Sequence, residues 1–185
     1  MIENEFKIML TEPQYEKVLS MFAWDSSALQ VNHYYDTPEL SLSSLHITVR
    51  VREKGGRFFL QMKLPNGVDF SRVELEKELD GTPEELPPEL LNELAGEYFP
   101  EGFPAVRRLG TLSTIRNVSR FSGGETDLDK SEYFGKTDHE LEIEFTDESA
   151  ARAVMEKICA EAGITRAGDV CTGKIHRFLD EYRKN

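Results

Sequence analysis

The 185 residues suffice for one domain, 1–185, with a sizeable core, and 39% hydrophobic with 30% charged residues is the make-up of a soluble globular chain. A formal net charge of −12 excludes a general nucleic-acid binder, because a phosphate backbone needs a basic surface, but leaves room for a local anion site. Cys159 and Cys171 are too few for a disulfide framework, and neither an apolar run of about 18 residues nor a signal-peptide core is present, so a cytoplasmic chain with no membrane partner is expected.

In chain order, eight strand-like segments and four helices emerge. The first strand, near 2–8, puts Glu3, Glu5 and Lys7 on one face and Phe6 and Ile8 on the other, since successive strand side chains point to opposite sides. Thr11-Glu12-Pro13 then opens a helix through Phe22, with Thr11 as N-cap and Pro13 tolerated in the first turn. A strand near 28–36 ends in Tyr34-Tyr35-Asp36-Thr37-Pro38. Strands near 45–53 and 57–64 flank Lys54-Gly55-Gly56, a hairpin signal; Arg50 and Arg52 alternate with Val49 and Val51, and Gln61 and Lys63 oppose Leu60, Met62 and Leu64. After Pro65-Asn66-Gly67, a strand near 69–79 alternates Arg72, Glu74, Glu76 and Glu78 with Val73, Leu75 and Leu79. The stretch 82–95 is helical with an interruption at Pro87-Pro88. Strands near 108–121 and 125–133 meet across Gly123-Gly124, and Asp127 and Asp129 bracket Leu128. The eighth strand, near 138–146, alternates Glu140, Glu142 and Glu144 with Leu141, Ile143 and Phe145. Amphipathic helices over 147–162, ended by Gly163, and 170–182 close the chain.

On one strand alone this alternation describes a solvated face. Across the set, pairs of like charge recur at i and i+2, which a fold tolerates better when a ligand or counter-ion neutralises them. A mainly β (α+β) fold is therefore expected: a closed eight-stranded antiparallel β-barrel whose lumen is charged and whose apolar outer faces are covered by flanking helices. Glu78 and Glu140 fall at predicted strand ends and are expected to be solvated. Val118 separates Arg116 from Arg120 on their shared face. His33, His46, His139 and His176 form no ligand-spaced cluster, so zinc is not expected.

Glu3-Asn4-Glu5-Phe6-Lys7 reads as E-x-E-x-K, and it is followed by Tyr34 to Leu42, Arg50-x-Arg52, Lys63, Glu74-x-Glu76, Asp127-x-Asp129, Glu142-x-Glu144 and Lys174. This ordered set resembles the CYTH superfamily, the triphosphate tunnel metalloenzymes, over essentially the whole chain. The resemblance implies an eight-stranded tunnel that hydrolyses a small-molecule triphosphate with Mg2+ or Mn2+. It makes Glu3, Glu5, Glu142 and Glu144 the metal-side carboxylates, assisted by Asp127, Asp129, Glu74 and Glu76, in keeping with the preference of hard cations for oxygen. Lys7, Arg50, Arg52, Lys63, Arg72, Arg116 and Lys174 become the phosphate clamp, arginine as a planar fork and lysine as a point charge. Tyr34 and Lys63 match positions assigned to proton transfer. Eight carboxylates face seven bases, a nearly neutral set suited to a triphosphate of about −4 to −5 carrying two divalent ions.

One departure bears on the substrate. Mammalian thiamine triphosphatases carry a stacking tryptophan two residues before the first arginine of R-x-R, and here that residue is Thr48. Inorganic triphosphate, which needs only charge contacts, is therefore expected ahead of thiamine or nucleoside triphosphates. A class IV type adenylate cyclase and a non-catalytic triphosphate or nucleotide binder are the alternatives, and a monomer or homodimer is expected.

Overall fold

The computed structural model describes residues 4–65, 72–165 and 171–185, with the backbone alone at Arg72. Its elements are β1 (Asn4–Leu10), α1 (Glu12–Leu19), β2 (Ser26–Asp36), α2 (Ser41–Ser44), β3 (Thr48–Lys54), β4 (Arg57–Pro65), β5 (Arg72–Leu79), β6 (Glu85–Leu86), α3 (Pro88–Ala95), β7 (Val106–Phe121), β8 (Gly124–Tyr133), β9 (Lys136–Phe145), α4 (Glu148–Ala162) and α5 (Lys174–Tyr182). The fold is mainly β, an antiparallel sheet with flanking helices. Hydrogen-bonded neighbours follow the order β1-β9-β8-β7-β2-β3-β4-β5, with β6 attached to β7. This is an open path with two ends, so the pairing does not establish the expected closed barrel. No helix among the described residues is long and apolar enough to cross a membrane.

Local chemistry explains where the elements differ from expectation. The stretch expected to be helical from 82 is split, because Glu85 and Leu86 pair with Arg107 and Val106 as β6. Pro87 then caps α3 and Pro88 occupies its first turn, where a missing N–H leaves no helical bond unmade. Helix α1 stops at Leu19, short of Phe22, and the Trp24 indole donates to the freed Leu19 carbonyl at 2.8 Å. α5 begins at Lys174, and the expected start at residue 170 lies outside the described residues.

The chain divides into two compact units, one built on Gln30–Leu112 and the other on Glu3–Leu29 with Ser113–Leu179. In the first, the register sets Tyr34 opposite Arg50, Arg50 opposite Gln61, Gln61 opposite Glu76, and Thr48 opposite Lys63 opposite Glu74. Directly paired residues share a face, so these side chains form one polar row. The reverse face is the core: Tyr35, Val49, Val51, Leu60, Met62 and Leu64 are buried with Leu86, Leu91, Ala95, Phe99 and Val106.

The second unit repeats the design. Glu5 stands opposite Glu144 and Glu144 opposite Glu125; Lys7 stands opposite Glu142 and Glu142 opposite Asp127; Glu140 faces Asp129, and Asp129 faces Arg116. Behind this charged face, Leu10, Leu128, Leu141 and Ile143 are buried against Tyr15 and Val18 of α1 and Ala151, Met155 and Ile158 of α4. The β7–β8 turn holds Gly123 at φ +100°, and a Cβ there would stand 2.8 Å from that of Asp147. Glycine lets the turn close while its carbonyl accepts from the Thr146 amide at 2.9 Å, tying the turn to the end of β9. Asp147 next caps α4 by accepting from the Ala150 amide at 3.1 Å.

Because Leu141 is fully buried in this apolar layer, Leu141→Ala is expected to cost about 2–5 kcal/mol, read as a lower urea midpoint with unchanged slope.

Candidate functional site

The charged face of the second unit converges on Glu142. One of its oxygens lies 2.6 Å from the Lys174 ammonium and 3.0 Å from that of Lys7, and the other accepts from the Arg116 guanidinium at 2.7 Å. Arg116 also donates a two-pronged pair to Asp129, at 2.9 and 2.7 Å, and forms an ion pair with Asp127. Lys174 reaches Asp129 at 2.9 Å and Glu140 at 3.1 Å, while Lys7 reaches Glu5 at 3.0 Å and Glu140 at 3.5 Å. Strand register supplies most of this convergence: Lys7 is directly across from Glu142, and Arg116 directly across from Asp129. Lys174 arrives from the first residue of α5.

Burial and pairing compete at each group. Burial alone would push the Glu142 carboxyl up, but Lys174, Arg116 and Lys7 reverse this and hold it well below the usual carboxylate range. Burial would likewise lower Lys7, Lys174 and Arg116, yet the surrounding carboxylates, Glu142 among them in each case, keep all three above their ordinary values. Asp127 behaves differently. Burial, helped by Asp129, Glu125 and Glu144 and opposed by Arg116, raises it to about 7. Glu140 is also raised, by burial first and by Glu142, against Lys174 and Arg177.

The donor set suits a hard divalent cation. One carboxylate oxygen from each of Glu5, Glu142 and Glu144 lies within 4.8 Å of the others, and the three range from exposed through half-buried to buried. Oxygen ligands of this kind match Mg2+ or Mn2+. Asp129, buried in the same face, adds negative charge beside them, and buried Asp127 does so once pH rises above about 7.

Of the residues singled out in the sequence, Glu5, Lys7, Arg116, Asp127, Asp129, Glu142, Glu144 and Lys174 are brought onto this one face. Glu3 and the Arg72 side chain lie outside the described residues. Tyr34, Arg50, Arg52, Lys63, Glu74 and Glu76 form the polar row of the first unit. There the Arg50 guanidinium donates to Gln61 at 2.8 Å, Gln61 donates to Glu76 at 2.6 Å, Arg52 donates to Asn32 at 2.9 Å, and Lys63 pairs with Glu74. Tyr34 is buried, and Thr48 is half-buried on the same face as Arg50.

Glu140 corrects an expectation. It is not solvated but 1% exposed, because β9 starts at Lys136 and places Glu140 in mid-strand. Glu78 is exposed, as expected, and pairs with Arg57 at 2.7 Å. Two residues escaped sequence reasoning. Arg177 donates to Asp138 at 2.8 Å and to Glu140 at 2.5 Å. The available signals were Arg177 three residues after Lys174, on the same helical face, and Asp138 in parity with Glu140.

A profile of the CYTH domain matches residues 1–171. The chain belongs to the CYTH family. This CYTH chain is 30% identical over 198 aligned positions to YjbK of Bacillus subtilis (strain 168), named as a candidate triphosphatase, covering 100% of this chain and 97% of that protein. Among solved structures, a candidate adenylate cyclase from Bacillus halodurans is 27% identical with a TM-score of 0.70, over 96% of this chain and 97% of that one. HpAC1 from Hippeastrum, a candidate adenylyl cyclase described as having a dominant triphosphatase activity, shares the fold at a TM-score of 0.70 and 24% identity, over 97% of this chain and 96% of that one.

The raised Asp127 carboxyl gives a signed pH prediction. Folded Asp127 keeps its proton to about pH 7, whereas the unfolded chain loses it near the ordinary carboxylate value. Its contribution is therefore fully present below that ordinary value and lost as pH rises through about 7. Glu142, held low, acts oppositely and loses its contribution only on acidification below the usual carboxylate range. Urea unfolding of metal-free CYTH protein between pH 5 and 8 should show stability declining with pH, and Asp127→Asn should flatten that decline. Parallel pH profiles for the two proteins would sink the assignment.

Proposed function

We infer that this CYTH protein is a divalent-metal-dependent triphosphate hydrolase acting on inorganic triphosphate in preference to triphosphates with organic groups. The observation that carries this reading is the meeting of Glu5, Glu142 and Glu144, within 4.8 Å, with Lys7, Arg116 and Lys174 on one face of the second unit. A surface that presents cations and a carboxylate triad together is suited to an anion that arrives with a hard metal ion, rather than to either alone. The name carried by YjbK points to the same chemistry. The closed eight-stranded tunnel and the cytoplasmic setting expected from the sequence belong to this reading.

Glu5, Glu142 and Glu144 would hold the ion, with Asp129 adding charge beside them and Asp127 joining it as its proton leaves near pH 7. Held there, Mg2+ or Mn2+ would supply positive charge against the phosphate oxygens. Arg116 offers a planar fork, and Lys7 and Lys174 offer point charges, to orient the phosphate chain. Each of these cations already sits against carboxylates, so substrate exchanges one set of anionic partners for another and does not bury bare charge. Phosphoryl transfer depends mainly on positioning and charge neutralisation, so no covalent nucleophile is required. Arg50, Arg52, Lys63 and Arg72 are proposed as further phosphate contacts, Tyr34 and Lys63 as proton-transfer residues, and Glu3, Glu74 and Glu76 as further carboxylates.

The likeness to the Bacillus halodurans structure keeps cyclase activity as a second reading. A phosphate-release screen of inorganic, thiamine and adenosine triphosphates with Mg2+ or Mn2+, run beside a cyclic AMP assay, separates the two. Phosphate release from inorganic triphosphate, lost in excess chelator, is expected; cyclic AMP as the main product would overturn the hydrolase reading. Glu5→Gln and Glu144→Gln should each abolish turnover with an unchanged circular dichroism spectrum, because an amide cannot supply the charge a hard cation requires.

Thr48 lies on the Arg50 face without an aromatic surface to offer. Thr48→Trp should raise kcat/KM for thiamine triphosphate roughly tenfold and leave inorganic triphosphate nearly unchanged. A wild-type protein already preferring thiamine triphosphate by a large factor would show that another residue supplies the stacking platform.

A further inference from the structure

We propose that Arg177 is a positioning residue that occupies Glu140 and thereby leaves Lys7 and Lys174 available to bind the triphosphate. The proposal rests on the triphosphate reading of the site and adds to it a residue that need not touch the substrate. Glu140 is fully buried and lies within reach of three cations: Lys7 at 3.5 Å from one oxygen, and Lys174 at 3.1 Å and Arg177 at 2.5 Å from the other. Arg177 therefore shares with Lys174 a single carboxylate oxygen.

Arg177 is itself anchored away from Glu142. Its guanidinium donates to Asp138 at 2.8 Å, and the Tyr133 hydroxyl donates to the same Asp138 carboxylate at 2.5 Å. It also donates to the Thr172 carbonyl, just ahead of α5. The adjacent Phe178 ring packs 4.9 Å from that of Phe134. Helix α5 is thus pinned at Arg177 while Lys174, one turn earlier, projects toward Asp129 and Glu142.

A buried carboxylate takes whatever cation is near, because leaving it unpaired costs more than any single contact gains. Without Arg177, Glu140 would draw Lys174 and Lys7 to itself, and both would be lost to phosphate. A charge-specific signature follows. Removing Arg177 should weaken an anion while sparing or strengthening a cation, whereas general disruption of the site would weaken both.

The test uses the full chain with two probes: inorganic triphosphate binding by calorimetry in chelator, and Mn2+ binding by electron paramagnetic resonance without triphosphate. Arg177→Met should weaken triphosphate about tenfold and leave Mn2+ equal or tighter. Adding Glu140→Gln should restore most of the triphosphate affinity, and Arg177→Lys should retain most of it. Equal loss of both probes in Arg177→Met, or no restoration by Glu140→Gln, overturns the proposal. Should Arg177→Met not fold, Glu140→Gln alone decides, since tighter triphosphate binding is required and unchanged or weaker binding refutes. Turnover is recorded separately: a protein that shows the binding signature but hydrolyses no triphosphate defeats the hydrolase reading and leaves the role of Arg177 standing.

Discussion

A single buried carboxylate organises the second unit. Glu142 is held at once by Lys7, Arg116 and Lys174, and each of those cations also serves at least one further acid. Desolvating an isolated carboxylate is costly, and one ion pair in a buried setting seldom repays it. Sharing changes the balance, because every added partner is already desolvated and already oriented by its own strand or helix. The cations come from β1, β7 and α5, elements far apart in the sequence, so long-range pairing brings them together.

The two units use the same alternation for different electrostatic ends. In the first, the polar row includes Arg50 to Gln61 to Glu76, Arg52 to Asn32, and Lys63 to Glu74. A neutral amide, Gln61 or Asn32, stands between or beside the charges, and Glu76 and Lys63 retain access to water. In the second unit the acids are packed more densely than the bases, and moving one cation alters the partners of several acids. Networks of this kind are stiff when fully satisfied and costly when partly satisfied.

Sequence alone revealed the faces but not the neighbours. A period of two assigns Glu5, Lys7, Asp127, Asp129, Glu142 and Glu144 to charged sides of their strands whatever the pairing. It does not say that β9 lies between β1 and β8, because order in a sheet depends on contacts between distant segments. Nor does parity locate strand ends: two extra residues at the start of β9 were enough to turn Glu140 from a terminal side chain into a buried one. β6 was hidden because two residues cannot display a period. Arg177 was hidden because a basic residue on an amphipathic helix has the same pattern whether it meets solvent or a carboxylate. Recognition of the ordered E-x-E-x-K, R-x-R and E-x-E segments supplied what periodicity could not, namely which charged face was worth chemical interpretation.

The glycine turn between β7 and β8 contains no ionisable group, yet it governs the identity of the site. Its carbonyl is tied to Thr146 at the end of β9, so its length fixes where β8 begins relative to both partners. One residue inserted between Phe121 and Gly124 would shift β8 by half its repeat. Thr126, Leu128 and Lys130 would then face Arg116 and Glu142, and Asp127 and Asp129 would be thrust into the apolar layer beneath α4. A change in chain length at a neutral turn would thus erase two acids from the charged face without substituting either of them.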